Sequence, residues 1–188
     1  MEEPEFHSLL GRWGFNSSLI NPHNPWSNPN LGVSKEVISF LEDYLQKFPS
    51  SQNMLLSGAP RKTHYILSNL FYRLFLADKL HHKISLIDIP TLIVDQFHRG
   101  SELDQREQID DISTQIHSSD IVVFQEIALN NWTPNQQTRI YALINKRYQL
   151  QKPTIFTSSK TIDETADALI EPTYYRIEEN CTYIDLTV

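Results

Sequence analysis

The chain has 188 residues, 40% of them hydrophobic and 21% charged, with a net charge of −7 and one cysteine; that length suits a single domain with a full core. The acidic balance argues against a nucleic-acid binder that uses its whole surface, because phosphate contacts need clustered Lys and Arg, and the dense basic spots are only Arg61-Lys62 and Lys146-Arg147. No apolar run approaches the roughly 20 residues that span a bilayer, the acidic start MEEPEFHSLL lacks the basic opening of a secretory signal, and the lone Cys181 excludes an internal disulfide, so we expect a cytoplasmic protein with no membrane partner.

Residues 1–33 read as an irregular N-terminal arm. Asn and Pro dominate NPHNPWSNPN and break helices, while Trp13, Phe15 and Trp26 would pin the segment to the core or close over a nucleotide base. The domain proper is expected over 34–188. Ser34 is a plausible N-cap, and Val37, Phe40, Leu41, Tyr44, Leu45 and Phe48 give one apolar helical stripe that Pro49 ends. Met54–Leu56 is a short buried strand, followed by a turn at Gly58. Ile66, Leu67, Leu70, Phe71, Leu74 and Phe75 mark a second helix, whose Phe71, Tyr72 and Phe75 read as packing rather than a base-stacking platform. Ile84–Ile89 is the next strand, and Pro90 opens a helix carrying Leu92, Ile93 and Phe97. Gly100 marks a break. Ile109, Ile112 and Ile116 form a further stripe before the strand Ile121–Phe124. Thr133 caps a helix with Pro134 at its first position, and Ile140, Leu143, Ile144 and Tyr148 face inward. Thr154–Thr157 is the fourth strand, Thr161 and Glu164 have capping-box spacing, and Thr182–Leu186 closes the chain, with Cys181 beside it as a buried, inert thiol.

Strands alternating with helices of ten or more residues imply a parallel sheet covered on both faces. Ligands of such sheets sit at the carboxyl ends of the strands, where Gly58, Glu126 and Ser159 fall. After the first strand, Gly58-Ala59-Pro60-Arg61-Lys62-Thr63 resembles a phosphate loop, G-x-x-x-x-G-K-[ST], shortened by two residues and with Arg61 at the last glycine. A shorter loop cannot curl the same backbone N–H groups round an anion, and a side chain at the glycine crowds it. The third strand ends on Gln125-Glu126, where a magnesium-linked Asp and a water-polarising Glu would stand. Gln carries no charge to hold a divalent ion. Glu126 remains as a candidate general base, or as a solvated strand-end residue or a lysine's partner. Ser159 takes the place of a γ-phosphate sensor, with shorter reach than Asn. His64 and His81-His82 have no acid or cysteine at ligand spacing, so no metal site is expected.

The run LINKRYQLQKPTIFTSS resembles the AAA+ domain of the DnaC/DnaI helicase loaders in its Arg147-Tyr148, Lys152-Pro153-Thr154 and Thr157-Ser158-Ser159. DIVVFQEI is similar to that family's Walker B strand, RKTH to its Gly-Lys-Thr-His, and YYRIEENCTYIDL to its closing segment; the IstB helpers of insertion sequences share the pattern. The resemblance covers about residues 35–188. It implies a three-layer αβα P-loop NTPase core with a five-stranded parallel sheet and, from the sequence's extent, no C-terminal lid. It also implies action on a replicative helicase and single-stranded DNA, usually with ATP and magnesium. On the family's pattern Lys62 and Thr63 match the Walker A pair, Glu126 the second Walker B acid, and Arg176 the region of an arginine that reaches a neighbouring subunit's site; the alternative for Arg176 is an end-of-helix surface residue.

Three readings follow. The shortened loop after Gly58 and the altered Arg61, Gln125 and Ser159 positions favour a non-hydrolysing AAA+-like adaptor or regulator of DNA replication that binds a helicase, a loader or an initiator and carries no cofactor. An active, divergent ATPase loader would use Arg61, Lys62 and Glu126 with ATP and magnesium. A mobile-element helper of the IstB kind is the third.

Overall fold

Five short strands form one parallel sheet: β1 (Asn53–Ser57), β2 (Ile84–Asp88), β3 (Ile121–Gln125), β4 (Thr154–Ser158) and β5 (Cys181–Asp185), in the order β2-β3-β4-β1-β5. The computed structural model describes residues 3–12, 15, 19–20, 26, 32–48, 53–77, 83–98, 111–129 and 132–187. Strands β3 and β4 are buried along their whole length, as a central parallel strand with both faces covered must be. Side chains alternate between the faces. Met54, Leu56, Val123 and Ile155 point into one core with helices α1 (Glu3–Arg12), α2 (Lys35–Lys47) and α3 (Pro60–Leu76). Leu55, Val122, Phe124 and Phe156 point into the other, with α4 (Ile89–His98), α5 (residues 111–118), α6 (Pro134–Leu150) and α8 (Glu171–Glu178). The short α7 (Ile162–Ala168) follows β4. The expected three-layer αβα arrangement is the one observed.

The caps fall where the sequence places them. The Ser34 hydroxyl accepts from Val37 N–H, Thr133 and Gln136 form a capping box at α6, and Thr161 and Glu164 form another at α7. Two elements depart from the expectation. Residues 1–33 are not uniformly irregular, because Glu3–Arg12 is helical. Phe6 and Leu10 lie one turn apart and are fully buried, with the Phe6 ring stacked on Phe75 at 4.5 Å. The Asn and Pro bias belongs only to the later part of the segment, where single described residues are tied down. Phe15 and Trp26 are buried, Trp26 Nε1 donates to Glu42 at 2.5 Å, and Asn69 Nδ2 donates to the Leu19 carbonyl at 3.0 Å. Trp13, Gly100, Ile109 and the His81-His82 pair lie outside what is described, as does the side chain of Phe97. The second departure is α8, a separate helix begun by Pro172 within its first turn, between α7 and β5. Cys181 on β5 is partly buried, and burial pushes its thiol well above the ordinary range.

At the amino ends of the central strands, Arg147 of α6 is nearly inaccessible and uses all five of its N–H donors. Nε donates to Thr154 Oγ1. One terminal nitrogen donates to the Ile116 and Ser119 carbonyls at 3.0 and 2.8 Å, the other to Asp120 and Pro153 at 2.6 and 2.8 Å. The side chain thus fastens α6 to the end of α5 and to the starts of β3 and β4. It is not part of a basic surface, as the Lys146-Arg147 pair suggested.

Candidate functional site

The strand ends meet in the order the register dictates. Asp88 lies opposite Gln125, and Ser57 lies between Ser158 and Asp185. This carboxyl edge, beside the strand where the order reverses, is where an open parallel sheet binds ligands.

Between Ser57 and the first residue of α3, Pro60, stand only Gly58 and Ala59. Gly58 has φ +154°, and a Cβ there would fall 2.7 Å from the Leu186 Cβ, so glycine is required by close approach as well as by backbone angle. Its N–H donates to the Ser158 carbonyl at 2.8 Å, and Leu186 N–H donates to the Ser57 carbonyl at 2.7 Å. Pro60 has no N–H to offer. Lys62 and Thr63 both donate their amides to the Ala59 carbonyl, at 2.8 and 3.1 Å. The Thr63 hydroxyl, fully buried, donates to the Pro60 carbonyl at 3.0 Å. The Gly58, Lys62 and Thr63 amides are therefore engaged within the chain, and the hydroxyl that would meet a metal is turned into its own helix. Arg61 is exposed at the start of α3. Lys62 lies near Asp185, whose carboxyl is held below its usual range first by hydrogen bonds from the Thr187 hydroxyl and amide and, to a smaller degree, by the Lys62 charge.

On β3, the buried Gln125 places Nε2 3.2 Å from His64 Nε2. His64 is half-buried on the first turns of α3, with the Phe15 ring edge-on at 5.8 Å. Burial pushes its pKa below the ordinary 6.5, against the opposing pull of the Glu126 and Asp88 carboxylates. The ring is then neutral at pH 7 and offers an acceptor nitrogen, and a glutamine amide, unlike a carboxylate, has a donor to match it. Glu126 adopts a left-handed backbone, φ 54°, at a cost of about 1–2 kcal/mol. Its N–H donates to Thr157 Oγ1 at 3.2 Å, and its carboxylate accepts the Ser159 N–H at 3.1 Å. The carboxylate is neither fully solvated nor paired with a lysine: it ties the end of β3 to the end of β4. Ser158 Oγ bonds Thr165 Oγ1 at 2.7 Å, and the Ser57 hydroxyl donates to the Lys160 carbonyl, which closes the edge further.

The structure thus brings Gly58, Lys62, Thr63, Gln125, Glu126 and Ser159 to one edge of the sheet. Arg176 is engaged elsewhere. On α8 its guanidinium stacks over Tyr148 at 4.4 Å, Nε donates to Asn145 at 3.3 Å, and a terminal nitrogen is 3.5 Å from Glu179. His64 and Thr157 belong to the site and were not assigned to it from sequence. Their one signal was position, the first directly after Lys62-Thr63 and the second at the end of a central strand. Among the described residues no three His, Cys, Asp or Glu side chains gather as a metal-binding group.

No protein-family model matches the sequence, and no curated protein matches it. Solved structures do. A DnaC helicase loader superposes with a TM-score of 0.67 at 18% identity, over 92% of this chain and 97% of that one. DnaI gives 0.63 at 16%, over 92% and 96%. AMPPCP-bound DnaA from Aquifex aeolicus gives 0.64 at 16%, over 88% of this chain and 51% of that one, so the chain spans about half the length of the DnaA initiator. At these identities the likeness is one of architecture: the chain shares the parallel αβα fold of these DnaC, DnaI and DnaA structures.

Proposed function

We propose that this protein is a non-hydrolysing AAA+-like adaptor or regulator of DNA replication, acting by binding a replicative helicase, a helicase loader or an initiator. One observation carries the reading: several of the groups at the nucleotide position are occupied by the chain itself. The Lys62 and Thr63 amides serve the Ala59 carbonyl, Gly58 N–H serves Ser158, and the Glu126 carboxylate serves the Ser159 amide. A nucleotide would have to break these bonds before gaining its own, and Gln125 supplies no charge to hold magnesium in compensation. Likeness in fold to helicase loaders and an initiator supports the replication context. A structure of DnaA bound to AMPPCP and single-stranded DNA also matches, with a TM-score of 0.63 at 15% identity. Single-stranded DNA is therefore the second ligand worth testing.

The experiment is calorimetric titration of ATP with magnesium into the purified protein, paired with a binding measurement against the replicative helicase from the same organism. We expect no heat with nucleotide at millimolar concentration and binding to the helicase with or without it. Saturable nucleotide binding that disappears in Lys62→Ala would overturn the nucleotide half of the proposal. Failure to engage helicase, loader and initiator alike would overturn the other half.

A further inference from the structure

At the opposite edge of the sheet from the candidate nucleotide site, three lysines converge on the end of one helix. Lys83 lies just before β2, Lys152 just before β4, and Lys146 on α6. Because β2, β3 and β4 are neighbours in the sheet, the lysines meet at its amino edge. The Lys83 ammonium donates to Ser118 Oγ at 3.0 Å, Lys152 to the His117 carbonyl at 3.0 Å, and Lys146 to Ser113 Oγ. Ser113 to Ser118 is about 8 Å along a helix, so the three charges sit within two turns of α5. Beneath them Arg147 spends its five N–H groups on one hydroxyl and four carbonyls. The recorded carboxylate in this group is Asp120, which accepts the Lys83 amide and lies close to Arg147. The ion pairs among the described residues join other side chains.

Lysines at a helix C-terminus are commonplace, since they answer the negative end of its dipole. That accounts for one contact each and leaves the rest. An ammonium has three donors, and each lysine here spends one on a neutral oxygen. In a chain of net charge −7, this is a concentrated cluster of positive charge whose lysines form no ion pair among the described residues. We propose that this amino-edge cluster is a docking surface for a short acidic segment of a protein partner. A nucleic-acid strand fits less well. It needs a longer cationic track, with rings for stacking. A run of Asp and Glu meets only the cluster, at a range where charge complementarity acts strongly on encounter and specificity. The surface lies away from the strand ends that carry the nucleotide motifs, so the inference does not depend on whether that site is inactive.

The test uses fluorescence anisotropy of a labelled octaglutamate peptide with the full chain at low salt. We expect saturable binding that weakens steeply as salt rises. Substituting K83Q/K146Q/K152Q should weaken it about tenfold or more, while K35Q/K47Q/R139Q, with the same net charge, should stay within about twofold. The charge-preserving K83R/K146R/K152R should retain most of it. Thermal melts confirm folding, and should the triple variant fail to fold, the exposed Lys83→Gln alone is read for a smaller loss in the same direction. Absence of peptide binding, or equal losses in the two glutamine triples, would overturn the proposal. So would tighter binding of a labelled oligodeoxythymidylate that is lost with the same three lysines, which would make this a nucleic-acid surface.

Discussion

A guanidinium with every donor committed to a neutral oxygen is costly to bury and costly to disturb. Burial lowers the Arg147 pKa to about 10, so it stays charged at pH 7. Its worth lies in the buried carbonyls of Ile116 and Ser119 and the partly buried ones of Asp120 and Pro153, to which it donates. Arg147→Lys, with fewer donors and no planar fork, should lower unfolding stability by about 3 kcal/mol or more in urea titrations. His64 makes a different prediction. Its folded pKa lies below the unfolded value, so the unfolded state takes up protons first on acidification. Its contribution is complete above pH 6.5 and is lost as pH falls through the folded value. The depressed Glu36, Glu164 and Asp185 carboxyls act only lower, below about 4.5. Melting temperature should therefore begin to drop as pH falls below 6.5 in the native protein, and His64→Gln should flatten that part of the curve. Neither role was legible from sequence. Arg147 read as half of a basic spot and His64 as a helix-start histidine, because nothing local says which carbonyls or which strand end a side chain will meet.

At the scale of elements, legibility followed period and punctuation. The continuous apolar runs of β1, β3 and β4 and the caps at Ser34, Thr133 and Thr161 stand where local pattern places them. Helix α1 escaped because its two anchors, Phe6 and Leu10, are few and the segment after them is rich in Asn and Pro. A ten-residue helix is marginal alone in water, so α1 is held by what it packs on. Burying Phe6 against Tyr72 and Phe75 makes it the principal anchor. Phe6→Ala should cost about 3 kcal/mol, and the loss should stay local. Hydrogen exchange of the α1 amides should accelerate sharply while those of β1, β3 and β4 remain protected. Comparable acceleration in the strands would show that α1 is integral to the global unfolding unit.

At the scale of the whole molecule, nucleotide affinity and stability are linked. A ligand present at a hundred times its dissociation constant adds about 2.7 kcal/mol to unfolding stability, which raises the melting temperature of a domain this size by several degrees. The expectation under the proposed function is no shift with millimolar ATP and magnesium, and a shift removed by Lys62→Ala would contradict it. Sequence alone determined the layered architecture and that the candidate residues fall at the carboxyl ends of the strands, because hydrophobic period and helix caps are local, and alternation of strand with helix leaves few ways to bury both. It also singled out the short loop after Gly58 and the Gln125 and Ser159 positions, since charge and loop length are written in the chain itself. Only the tertiary structure decided what the candidate residues meet: Gln125 meets His64, Glu126 holds the Ser159 amide, and Arg176 stacks on Tyr148. It also gathered Lys83, Lys146 and Lys152 at one helix end. These partners lie 28 or more residues apart in sequence, and long-range hydrogen bonds and charge clusters depend on sheet order, which no local pattern encodes.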